Sequence, residues 1–170
     1  MATVTFKGQE VRTSGELPAA GSKAPNFTLT KNDLADTTLA DFAGKRLVMN
    51  IFPSLDTGVC AMSVRRFNEA AASLRNTVVL CISEDLPFAQ SRFCDAEEIA
   101  NVTTLSAYRY RAFANNYGVR ILYGPLKGLM TRAIVVIDQM GRVIYTEQVP
   151  EISQEPDYEA ALEVLGDKGT

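Results

Sequence analysis

Apolar residues recur along this chain at two periods, and the switches between them predict its elements. Residues 3–6 and 10–13 alternate at period two about Lys7-Gly8, the pattern of a hairpin with a glycine turn. Residues 21–25 read as a loop, with short strands expected at 27–29 and 37–39. Residues 47–52, Leu-Val-Met-Asn-Ile-Phe, form a nearly continuous apolar run ended by Pro53, which predicts a buried central strand. The period then changes. Thr57, Cys60, Val64, Phe67, Ala71 and Leu74 recur at three- and four-residue steps and define one face of a long helix. Ala61, Arg65, Asn68, Ala72 and Arg75 fall on its wetter side.

A second buried strand is predicted over 77–83, a helix from Pro87 to about Ala100, and a short strand over 102–105. Residues 107–117 read as an aromatic-rich helix and 124–128 as a loop. Residues 132–137 and 142–145 flank Asp138-Gln-Met-Gly141, a hairpin pattern. A last helix begins after Glu155-Pro156, includes Tyr158, Ala161, Leu162 and Leu165, and stops at Gly166. This order predicts one α/β domain over residues 1–170, a central mixed sheet with helices on both faces. In such sheets sites lie beyond the carboxyl ends of central strands, where residues 53–60 fall.

Composition narrows the chemistry. The net charge of −3 gives no reason to expect nucleic acid or an anionic membrane as partner. No apolar run approaches the roughly 18–20 residues of a membrane span. The first residues carry neither a basic nor an apolar signal segment, so a reducing cytoplasm is the expected compartment. The chain has no histidine, which removes the commonest general base and metal ligand and excludes a Cys–His or Ser–His nucleophile. Its three cysteines, Cys60, Cys81 and Cys94, contain no C-x-x-C pair, so neither a metal nor a cofactor is expected.

The cysteines differ in setting. Cys60 is either a small hydrophobe heading an apolar helix face or a reactive thiol. Its place in the first helical turn favours the second, because the macrodipole and free backbone N–H groups stabilise negative charge there. Thr57, one turn earlier, can bring its hydroxyl within reach of the sulfur. Cys81, inside Val78-Val-Leu-Cys-Ile82, reads as core. Cys94, between charged neighbours, is an incidental surface thiol, half of a structural disulfide or half of a transient one. Without histidine, a guanidinium is the natural further support for a thiolate. Arg65, Arg66, Arg92 and Arg132 are all candidates, Arg132 standing out at the head of a very apolar strand, but spacing does not choose among them.

The segment Pro53-Ser-Leu-Asp-Thr57-Gly-Val-Cys60 has the P-x-x-x-T-x-x-C pattern of peroxiredoxins. Leu86-Pro-Phe-Ala-Gln-Ser-Arg-Phe-Cys94, Gly124-Pro-Leu-Lys-Gly-Leu129 and Glu155-Pro-Asp-Tyr-Glu-Ala-Ala-Leu162 further resemble the bacterial thiol peroxidases among them. The resemblance extends over nearly the whole chain and implies a thioredoxin-like fold with an N-terminal hairpin. It implies that Cys60 is the peroxidatic cysteine and Cys94 the resolving one, joined as a disulfide during turnover. Pro53 would shield the site, and Thr57 and Arg132 would hold peroxide and thiolate. Hydrogen peroxide and alkyl hydroperoxides would be the substrates, thioredoxin the reductant and a homodimer the working unit. Two cysteines on separate helices are unlikely to lie within disulfide distance, so both segments are expected to unwind locally.

Two rivals frame that expectation. A disulfide reductase would want a C-x-x-C pair, and Ser63 stands three residues after Cys60. A redox-sensing or holdase module would use the Cys60–Cys94 bond only to switch shape.

Overall fold

The computed structural model describes residues 1–166. Its centre is the parallel pair β5 (Arg46–Ile51) and β6 (Thr77–Ser83), with β8 (Ala133–Ile137) antiparallel on the far side of β5. All three are apolar and β-branched-rich because both of their faces are covered. Period-two alternation sorts them into two cores. Leu47, Met49, Ile51, Leu80, Ile82, Val135 and Ile137 face one side, and Val48, Phe52, Val79, Cys81, Ile134 and Val136 the other.

The remaining strands are β1 (Thr3–Phe6), β2 (Gln9–Arg12), β3 (Thr28–Thr30), β4 (Asp36–Thr38), β7 (Thr103–Ser106) and β9 (Val143–Gln148). The large sheet has seven strands in the order β4-β3-β7-β6-β5-β8-β9. Helices α1 (Gly58–Ala71) and α2 (Pro87–Ala96) cross from β5 to β6 and from β6 to β7. Both pack on the face that holds Cys60 and Cys81, joined there by α4 (Tyr158–Glu163). Helix α3 (Ala112–Asn116) covers the opposite face through Phe113 and Ala114. The expected mixed sheet with helices on both faces is therefore present. No helix among the described residues is long and apolar enough to cross a membrane.

Strands β1 and β2 form the expected hairpin, in register from Thr3↔Arg12 to Phe6↔Gln9. Its turn places Lys7 at φ 51° and Gly8 at φ 81°, the double positive φ of a tight hairpin turn. Val4 and Val11 pack with Ile121 and Ile152, with Phe6 and Leu126 at the margin. The hairpin is thereby seated against two loops that border the site.

Five expectations need correction, the first being the last helix, which is Tyr158–Glu163 with Leu165 in the turn beyond it. The helix predicted over 107–117 is only Ala112–Asn116. The residues before it are occupied otherwise: Tyr108 N–H donates to Ser106 Oγ, and Arg109 Nη1 and the Tyr110 hydroxyl both donate to Asp36. Helix α2 stops at Ala96 rather than near Ala100, because Glu98 turns to φ 56° and Ile99 N–H caps the Cys94 carbonyl. Helix α1 ends at Ala71, so Leu74 lies beyond it, although it still packs against the core. Ala61, expected on the wet side, is only 8% exposed, and Ser63 beside it is fully buried.

Candidate active site

Pro53 ends the central strand because it has no N–H to continue the ladder, and the chain turns there into α1. Thr57 is the N-cap, with extended backbone (φ −104°, ψ 143°), and Cys60 follows in the first turn. Cys60 has no exposed surface. Its sulfur accepts a hydrogen bond from Arg132 Nη2 at 3.0 Å, across 72 residues of sequence. Arg132, at the head of β8, is 1% exposed, and its Nε donates to the Ile152 carbonyl at 2.8 Å. The Ile152 contact fixes the guanidinium plane, and the second arm of the fork points its charge at the sulfur. Its remaining Nη1 is buried without a protein acceptor.

The buried cation touches this sulfur directly, and the N-terminal end of the helix adds its dipole. Both stabilise negative charge on sulfur, in an interior where water does not screen them. Of the four candidate arginines, then, Arg132 is the one that reaches Cys60. Arg65 instead forms a two-pronged pair with Glu97, Nη2 to Oε1 at 2.8 Å and Nε to Oε2 at 3.0 Å. Arg66 lies over the Tyr158 ring at 5.4 Å.

Thr57 differs from expectation. Its side chain is exposed and donates to the Ser54 carbonyl at 3.1 Å, which secures the loop before α1. The extended N-cap backbone turns the hydroxyl toward that loop. Thr57 and Pro53 nonetheless line the cavity that opens at Arg132. This space, of about 230 Å³, is walled chiefly by Phe6, Val59, Leu126 and Ile152. A larger cavity of about 450 Å³, bordered by Phe27, Tyr110 and Phe113, contains no cysteine and lies by the opposite core.

Cys81 belongs to the core, as expected. Burial pushes its thiol up to about 12, only partly opposed by a 3.8 Å contact from Asn50 Nδ2. Cys94 is half-buried on α2, its sulfur 3.8 Å from Thr104 Oγ1 on β7, and burial raises its thiol too. All three cysteines are free thiols. Between β7 beneath Cys94 and β8 beside Cys60 lie β6 and β5. At about 4.8 Å per strand the two sulfurs are on the order of 10 Å or more apart, against a disulfide Cβ separation near 4 Å. Among the described residues no group of three or more Cys, Asp or Glu could hold a metal ion.

Several contributors were invisible in the sequence. Ser63 Oγ donates to the Cys60 carbonyl at 2.7 Å and accepts from Asn50 at 3.1 Å, which explains a serine on a buried helical face. Glu151 accepts from Lys7 N–H, Gly8 N–H, the Thr5 hydroxyl and Ser153, binding the hairpin to the loop that carries Ile152. The hydrogen bonds from Ser153 come first among the causes that hold its carboxyl down to about 2. A polar residue amid apolar ones was the available signal for Asn50; no local signal marks Glu151.

Comparison with known proteins agrees with this geometry. The redoxin family model matches residues 19–162. A thiol peroxidase of Corynebacterium glutamicum is 56% identical over 97% of this chain and 99% of its own. The crystal structure of a peroxiredoxin-like protein from Aquifex aeolicus superposes with a TM-score of 0.92 at 38% identity, over 98% of this chain and 97% of that one. A thiol peroxidase from Chromobacterium violaceum, 24% identical, shares the fold at a TM-score of 0.86 over 97% and 95% of the two chains. The thioredoxin-like fold with an N-terminal hairpin is thus borne out. The chain belongs to the redoxin family, among its thiol peroxidases.

Proposed function

We propose that this chain is a peroxidase that reduces hydroperoxides through Cys60, with Cys94 as the resolving thiol. The observation that carries the reading is the 3.0 Å contact between the buried Arg132 guanidinium and the Cys60 sulfur, at the start of a helix. The thiolate attacks the distal peroxide oxygen, the O–O bond breaks, and Cys60 becomes a sulfenic acid while water or an alcohol leaves. Arg132 and the first-turn N–H groups stabilise the charge that passes from sulfur to the leaving oxygen. Pro53 and Thr57 border the space from which peroxide arrives. Attack by the thiolate form calls for no general base, which suits a chain without histidine.

Cys94 then attacks the sulfenic sulfur, water leaves, and a Cys60–Cys94 disulfide results. The free, separated thiols of the structure support a route through local unwinding of both helix segments. Thioredoxin as reductant, hydrogen peroxide and alkyl hydroperoxides as substrates, a homodimer and a reducing cytoplasm rest on the family resemblance. The test is peroxide consumption coupled to thioredoxin, with hydrogen peroxide and an alkyl hydroperoxide compared. Cys60→Ser is expected to abolish it; full activity in that variant overturns the reading.

A further inference from the structure

One carboxylate ties the loop before α1 to the loop before α2. Asp85, which follows β6, accepts from the Ser54 hydroxyl at 2.7 Å, the Leu55 N–H at 2.8 Å and the Ser83 hydroxyl at 2.7 Å. Its own carbonyl accepts from Ser106 Oγ at 2.5 Å, fixing it to the end of β7. On one side the chain of bonds continues from Ser54 to Asp56 N–H at 3.1 Å, and from the Ser54 carbonyl to the Thr57 hydroxyl at 3.1 Å. On the other, the buried Gln90 of α2 donates to Ser83 Oγ at 3.2 Å and to the Leu105 carbonyl at 2.9 Å. A continuous network therefore runs from the N-cap of the Cys60 helix to Gln90, one turn before Cys94.

The reaction makes opposite demands on these two segments. Attack on peroxide needs the first turn of α1 held against Arg132, whereas disulfide formation needs the same turn and α2 released. We propose that Asp85 is a positioning residue that holds both segments in the peroxide-reactive arrangement, and that its grip sets how readily they unwind to join Cys60 to Cys94. The proposal rests on the reading of Cys60 and Cys94 given above. In the step it governs, the Cys94 sulfur attacks the Cys60 sulfur, the S–O bond breaks, and the oxygen leaves as water with the Cys94 proton. Hydrogen bonds to a carboxylate are stronger than neutral ones, and this one collects two from the loop before α1 and one from Ser83 at the end of β6. Asparagine at 85 keeps the shape but turns one acceptor oxygen into a donor, which then faces an N–H or a hydroxyl.

The experiment is stopped-flow kinetics of the reduced full chain, wild type against Asp85→Asn. It reads the peroxide-dependent oxidation of Cys60 and the peroxide-independent disulfide step separately. Loss of one charge-assisted bond is expected to slow oxidation about tenfold and to speed disulfide formation several-fold. Sulfinic acid at Cys60 under excess peroxide should fall accordingly, by mass spectrometry. Ser54→Ala, which removes one leg and keeps the charge, should shift both rates in the same opposed directions by less, and decides the matter if Asp85→Asn does not fold. A merely structural role would lower both rates together. That result, or both rates unchanged in Ser54→Ala, overturns the proposal while leaving the peroxidase reading intact. A wild-type chain with no peroxide-dependent phase defeats both.

Discussion

Cys60 and Cys94 are the same side chain in opposite surroundings. Cys60 opens a 14-residue helix, has no exposed surface, and touches a buried cation at 3.0 Å. Cys94 stands near the end of a 10-residue helix, where backbone carbonyls rather than N–H groups gather, with Asp95 beside it. Its sulfur lies 3.8 Å from the Thr104 hydroxyl, and α2 ends two residues later. The first setting stabilises charge; the second keeps the thiol protonated and places it where a helix frays most easily. On the proposed reading the two thiols thus sit in settings suited to different steps, although both segments must move to join them.

The sharpest way to break that contrast is to remove each side alone. Cys94→Ser should reduce thioredoxin-linked turnover to background, while a single oxidation of Cys60, followed by rapid-mixing fluorescence, proceeds at the wild-type rate. Arg132→Met should do the reverse, slowing that single oxidation by about 10²–10³, the usual loss when one preorganised donor is deleted. If the two variants lose the same step, the division of roles is wrong.

Smaller in effect is the tether behind Arg132. The Glu151 carboxyl lies at about 2 in the folded chain against an ordinary 4.5. A depressed carboxyl contributes stability that is complete above its unfolded value and is lost as pH falls through the folded one. The urea midpoint of wild type should therefore exceed that of Glu151→Gln near neutrality, and the gap should close between about pH 4.5 and 2. A gap independent of pH would show that hairpin packing, not this carboxylate, holds the Ile152 loop.

How much of this was legible in the chain follows from how local each cause is. The β-branched runs of β5 and β6 and the α1 stripe are decided by neighbours in sequence, and they appear where periodicity put them. The aromatic stretch 107–111 failed as a helix because Arg109 and Tyr110 bond Asp36 of β4, a partner that no window contains. The first-turn position of Cys60 was readable from the same stripe. Arg132 was not separable from Arg65, Arg66 or Arg92, since its contact depends on how β8 docks beside β5. Ala61 broke the wet-face reading, and beside it Ser63 is buried because Asn50, on the neighbouring strand, satisfies it in the interior.

The cavity wall has a consequence of its own. In the proposed mechanism Arg132 addresses only the oxygen pair, which every hydroperoxide carries, and so it is indifferent to the rest of the molecule. What that rest meets is Phe6 of the hairpin, Leu126 and Ile152, residues from three separate surface segments. The hydrogen bond that residue 152 gives the guanidinium is made by its carbonyl, not by its side chain. On that reading substrate preference can drift by exchange of wall side chains that hold nothing at the centre, and a library at positions 6 and 126 is the natural place to retune it.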